Sequence, residues 1–159
     1  MAQYKRKDFA HYFNTAASGS EVDWEIEGIG VEALSLTYNP QIDTFKQIID
    51  DVANSTFDSY QIQSSVSGKR IESTDPIWSW LNQARLNAEC IETQMLEIDM
   101  KSDAKTTGTY TALKYNVLIV INEFLGENAT ISYDLYVKGK PTKGTATIAS
   151  GKPEFTEAG

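Results

Sequence analysis

The sequence predicts a mainly β fold, an antiparallel β-sandwich or barrel with one flanking α-helix, and three observations carry that prediction. Short runs with apolar residues at every second position recur six or seven times along the 159 residues. Only one stretch combines a helix start signal with a full apolar stripe at helical spacing. No Pro-, Gly- or Ser-rich linker and no useful repeat divides the chain, so residues 1–159 read as a single domain, long enough to bury a core without staples.

Trp24, Ile26 and Gly28 alternate with Glu25 and Glu27, which predicts a short strand whose acids face water. Leu34, Leu36 and Tyr38 predict a second strand, ended by Asn39-Pro40. Tyr60, Ile62 and Ser64 predict a third, closing near Ser67-Gly68. The Gly-Lys pairs at 68–69, 139–140 and 151–152 read as turn tips, with glycine supplying positive φ and lysine keeping the tip wet. The helix starts at Asp75 as N-cap with Pro76 in the first position, and Ile77, Leu81, Ala84 and Ala88 form its stripe to about Glu89. Leu96, Ile98 and Met100 then alternate with Glu97, Asp99 and Lys101, predicting a strand with one apolar and one solvated face. Val117–Ile121 is a continuous apolar run, as expected of a strand covered on both faces. Ile131, Tyr133, Leu135 and Val137 predict the first arm of a hairpin that turns at Gly139-Lys140-Pro141-Thr142 and returns through Thr145, Thr147 and Ile148. Ile42, Phe45, Ile49 and Val52 fit a helical face, but strand-like composition returns at Ser55-Thr56-Phe57, so this segment reads equally as helix or extended chain.

Composition excludes much chemistry. The chain is 41% apolar and 23% charged, a globular mixture, and its longest apolar run is too short to span a bilayer. Lys5-Arg6-Lys7 is followed by no hydrophobic region, so no signal peptide is expected and the chain should stay where it is made. One cysteine, Cys90, excludes an internal disulfide and a multi-Cys zinc site, and one histidine, His11, excludes two-His metal motifs. The net charge of −8 opposes general nucleic-acid wrapping, because the phosphate contribution would be repulsive.

Gly28-Ile29-Gly30-Val31-Glu32-Ala33 matches G-x-G-x-x-A in letters, but the motif needs a following helix and the next segment alternates like a strand, so a glycine-containing hairpin is the reading. His11 lies among Phe9, Tyr12 and Phe13 with no nucleophile elbow in the sequence, and reads as a packing or surface residue. Cys90 reads as a small core residue. The acid pairs Glu25/Glu27, Asp50-Asp51 and Glu97/Asp99 lack calcium-loop spacing, and the two spaced pairs read as wet strand faces. No catalytic residue, cofactor site or metal site is therefore expected. Trp78 and Trp80 project roughly 200° apart on a helix, which predicts that one points outward as a partner contact.

The order of these pieces resembles the major tail proteins, or tail tube proteins, of long-tailed (siphovirus-type) bacteriophages. The residues that carry the resemblance are Tyr12-Phe13-Asn14-Thr15, Trp24 with Gly28-Ile29-Gly30, and Leu34-Ser35-Leu36-Thr37-Tyr38-Asn39-Pro40-Gln41. The Asp75-Pro76-Ile77 helix start, Glu97-Ile98-Asp99, and the closing Tyr136-Val137-Lys138-Gly139-Lys140-Pro141 and Lys143-Gly144-Thr145 complete it. The resemblance implies a structural virion protein that assembles in the host bacterial cytoplasm. It would form stacked hexameric rings around a tape-measure protein, bounded by initiator and terminator proteins, and later pass DNA without binding it specifically or inserting into a membrane. It also implies that about 39–72 is a long extended loop reaching a neighbouring subunit, so that Ile42, Phe45, Ile49 and Val52 are candidate inter-subunit contacts, and the tryptophan argument adds Trp78 to them. Glu97 and Asp99 are candidate channel-facing acids, since a DNA conduit should repel phosphate. The alternatives are the tube of a phage-tail-like bacteriocin or secretion machine, a small carbohydrate- or ligand-binding β-sandwich, and, more remotely, an acidic hydrolase with opposed carboxylates.

Overall fold

The computed structural model describes residues 8–17, 19–28, 31, 34–49, 51–103 and 108–158. Lys5-Arg6-Lys7, four of the six residues of the Gly28–Ala33 motif, and Asp50 of the Asp50-Asp51 pair lie outside the described residues. The elements in chain order are β1 (Phe9–Asn14), β2 (Trp24–Ile26), β3 (Pro40–Phe45), β4 (Asn54–Tyr60), β5 (Gln63–Arg70), α1 (Pro76–Asn87), β6 (Ile91–Asp103), β7 (Thr109–Leu125), β8 (Thr130–Ala149) and β9 (Lys152–Glu157).

The fold is mainly antiparallel β with one helix. Seven strands form one sheet in the order β2-β1-β6-β7-β8-β5, with β9 also on β8, while β3 and β4 form a separate two-stranded sheet. The large sheet curls into a nearly closed, barrel-like form. Its ends approach each other where Lys152 of β9 reaches Glu25 at 2.5 Å, Asp23 at 3.3 Å and the Trp24 carbonyl at 3.1 Å.

The curl divides the core in two. Under α1, Ile77 and Leu81 pack with Phe13, Val66, Met95, Tyr115, Val117, Ile119, Ile131, Tyr133 and Leu135. At the other end, Tyr12, Trp24, Leu96, Ile98, Ala112 and Ala146 form a second cluster. Neighbouring residues Met95 and Leu96 are both fully buried and belong to different clusters, so β6 is covered on both sides at that point. The predicted wet face of β6 is thus not a solvated one: Glu97 and Asp99 are half-buried. β7 differs from expectation in the opposite sense, since Val117 and Ile119 are buried but Val120 is 38% exposed.

Helix α1 forms as its sequence dictates, with the Asp75 carboxylate accepting the Ile77 N–H and Pro76 inside the first turn. It stops at Asn87, two residues early, because Ala88 takes the left-handed C-cap conformation at φ 53° and its N–H caps the last carbonyls. Ala88 is therefore exposed rather than part of the stripe, and so is Cys90 beyond it. The predicted outward tryptophan is absent. Trp78 and Trp80 flank the Ile77–Leu81–Ala84 stripe, and both reach the sheet: Trp78 stacks on Phe124 at 6.3 Å and Trp80 lies 5.7 Å from Phe13.

Two further expectations fail for backbone reasons. Leu34–Tyr38 is no strand and contributes only an isolated bridge from Thr37 to Gln63. Gly139-Lys140-Pro141 is not a hairpin turn but a bulge within the 20-residue strand β8. The pairing of β7 with β8 jumps from Asn116↔Lys138 to Lys114↔Thr142, and Gly139 absorbs the extra residues at φ 76°. The real β7–β8 turn is Gly126–Ala129, where Ala129 has φ 51°. Farther along β8, Gly144 is required by close approach, since a Cβ there would lie 2.2 Å from the Thr156 carbonyl.

Candidate functional site

The segment that reads equally as helix or extended chain is an extended β-hairpin. β3 and β4 pair with each other from Pro40↔Tyr60 to Phe45↔Asn54, with a bulge after Gln41, and neither belongs to the large sheet. Strand formation follows from Thr44, Ser55, Thr56 and Phe57, which suit a pleated ribbon better than a helix. An isolated two-stranded ribbon is marginal in water, and here its polarity is reversed. Ile42 is 51% exposed, Phe45 61%, Ile49 82%, Val52 77% and Phe57 52%, while Ile48 at the tip is completely exposed. Ile42 and Phe57 are cross-strand partners. At the root, Tyr60 lies 4.8 Å from Phe57 and 5.5 Å edge-on to Tyr38, giving an aromatic cluster whose three members are each more than 40% exposed.

Four of the five predicted contact residues, Ile42, Phe45, Ile49 and Val52, thus lie together on this arm. Trp78 does not join them. It is half-buried on α1 against Phe124, and the Arg85 guanidinium also lies 4.2 Å from the Phe124 ring centroid. The predicted channel acids are adjacent on β6 but engaged. Glu97 Oε2 is 2.9 Å from His11 Nε2, and Asp99 accepts the Lys101 N–H at 3.1 Å. His11 is buried, and with Glu97, Glu27, Phe9, Ile26 and Leu36 it borders an open cavity of about 860 Å³.

A second constellation was missed entirely by the sequence reading. Lys69, read as a wet turn tip, has no exposed side-chain surface. Its Nζ donates to Glu27 Oε1 at 2.6 Å and lies 2.7 Å from Asp75 Oδ2, and both carboxylates are equally buried. Glu27 Oε2 accepts the Tyr133 hydroxyl at 2.6 Å. Burial pushes the Glu27 carboxyl above its ordinary range, against the pull of Lys69, and burial together with Glu27 raises the Tyr133 phenol. The reason for Lys69 is a change of phase. Ser64 and Val66 face inward, but the register of β5 on β8 shifts between Val66 and Lys69, with Gly68 at φ 67°. That one-residue slip turns Lys69 to the inside. Glu27 lies just past the end of β2, where the strand alternation no longer applies: Trp24 is buried, Ile26 is 48% exposed, and Glu27 is buried. The glycine at position 68 was the available signal, because it follows the last clean alternation and marks a bulge as readily as a turn.

Among the described residues no helix is long and apolar enough to cross a membrane. No protein-family model matches the chain, and no curated protein matches it.

Proposed function

We propose that this chain is a structural subunit of a phage tail tube, assembling through its β3–β4 arm into stacked hexameric rings that conduct DNA. The observation that carries the reading is the arm itself: an extended ribbon, apart from the main sheet, with its largest apolar side chains in solvent. Such a surface is normally covered. Burying Phe45, Ile48, Ile49 and Val52 against another copy would contribute roughly 1.5–3 kcal/mol each. Association itself costs about 4–15 kcal/mol, so one arm holds a neighbour weakly, whereas a closed ring engages several arms at once. The same arithmetic accounts for a subunit that stays monomeric when dilute and polymerises when nucleated. The net charge of −8 suits a conduit that DNA must slide through. In this reading the repulsion comes from the acidic surplus as a whole, with Glu97 held by His11.

The test is negative-stain microscopy of the purified chain at high concentration, paired with the same chain shortened across Thr44–Asn54. Rings or tubes from the first and none from the second support the reading. A tube of a bacteriocin or secretion machine would use the same arm and give the same images. A second reading, a small ligand-binding β domain, is favoured by the His11–Glu97 cavity of about 860 Å³. It predicts a monomer at every concentration.

A further inference from the structure

We propose that Lys69 and Asp75 join spontaneously through an amide bond between Lys69 Nζ and Asp75 Cγ, with Glu27 moving the protons. The inference is independent of the tube reading and rests on the geometry of one dry pocket. Lys69, Glu27 and Asp75 all have side chains with no solvent exposure. The two carboxylates meet the amine differently. Glu27 Oε1 receives a hydrogen bond from Nζ at 2.6 Å, the arrangement of a proton acceptor. Asp75 Oδ2 lies 2.7 Å from Nζ, yet it is buried without a hydrogen-bond partner among the described residues. The amine is therefore held against the Asp75 carboxyl without a hydrogen bond to Oδ2, and the 2.7 Å contact keeps the nucleophile next to the group it would attack.

The surroundings assign the remaining roles. Asp75 Oδ1 accepts the Ile77 N–H at 3.0 Å at the start of α1, so negative charge developing on that oxygen during attack meets a backbone donor already in place. Tyr133 holds Glu27 through its other oxygen at 2.6 Å. Burial raises the Glu27 carboxyl, which suits a group that must take a proton and give it back. The step balances without any co-reactant. Nζ loses one proton to Glu27, and its lone pair forms the Nζ–Cγ bond. Glu27 passes that proton to Oδ2, a second proton follows the same route, and the Cγ–Oδ2 bond breaks to release one water. An ammonium and a carboxylate become a neutral amide, and Glu27 ends in the protonation state in which it began. The pocket also gives the step a driving force. Among the described residues one buried cation meets two buried carboxylates, and amide formation removes both charges of the Lys69–Asp75 pair. In the product, Oδ1 keeps the Ile77 N–H and the amide N–H keeps Glu27.

Intact-mass spectrometry of the folded chain after storage at neutral pH tests the proposal, followed by tryptic digestion. The expected mass is that of the sequence less one water. Because Arg70 lies inside the new ring, trypsin should release residues 47–70 and 71–85 as one branched peptide whose fragments place the link at Lys69 and Asp75. Lys69→Arg should lose the link completely, and Glu27→Gln should lose it while circular dichroism reports an unchanged β fold. Asp75→Asn should converge on the same final mass as the reacted parent chain, because it forms the same amide with release of ammonia. A full-mass parent chain giving separate 47–69 and 71–85 peptides would overturn the proposal, and so would a water loss that maps to Glu27.

Discussion

The pocket beneath α1 and the tip of the β3–β4 arm reverse the usual partition of polarity in opposite ways. In the pocket, a lysine and two carboxylates sit where solvent has no access. On the arm, Ile48, Ile49 and Val52 are each more than three-quarters exposed. The difference lies in completion. The pocket groups meet one another within the molecule, so the chain's own fold brings the whole arrangement together. In the reading proposed above the arm is half of an interface, and its energetics would be settled only when a second surface arrives. Substitutions in the pocket should therefore be read out in folding, and substitutions on the arm in association.

The largest expected effect is in the pocket. Lys69→Ala leaves Glu27 and Asp75 buried without their cation and should destabilise the fold by about 3–5 kcal/mol, measured by denaturant unfolding. A loss comparable to that of an exposed substitution would mean that water reaches the pocket. Glu27→Gln sharpens the same point through pH. Burial raises the Glu27 carboxyl in the folded state, so its contribution is full below the ordinary value of 4.5 and is lost as pH rises through the raised folded value. Glutamine does not titrate. The stability of the parent chain relative to Glu27→Gln should therefore fall as pH rises above the ordinary value of 4.5, and a rise over the same range would reverse the assignment. On the arm, Ile48→Ser with Ile49→Ser should leave unfolding free energy within about 0.5 kcal/mol of the parent. A cooperative loss of the β signal instead would show that the ribbon packs on its own sheet.

Elements with local signals were legible in the sequence, and elements that depend on phase were not. Asp75-Pro76 announces α1 because capping is a property of adjacent residues. The apolar arm residues Ile42, Phe45, Ile49 and Val52 were picked out, although periodicity could not separate helix from ribbon, since a long exposed hairpin has no buried face to impose a period of two. Lys69 and the strand through Gly139 were misread for one reason. A bulge flips every later side chain to the other face, and Gly-Lys looks identical in a turn and in a bulge. Glu97 was placed on the correct face of β6, but that face is partly covered, because the sheet curls and buries both Met95 and Leu96. Curling is set by all the strands together and leaves no mark on any one of them.

The central claim is that the arm is an unfinished interface, and sedimentation velocity over a wide concentration range tests it most directly. The parent chain should pass from monomer to species of ring size or larger as concentration rises, while the Ile48→Ser, Ile49→Ser chain, equally folded, stays monomeric. A parent chain that sediments as a monomer at every concentration up to the millimolar range would contradict the account.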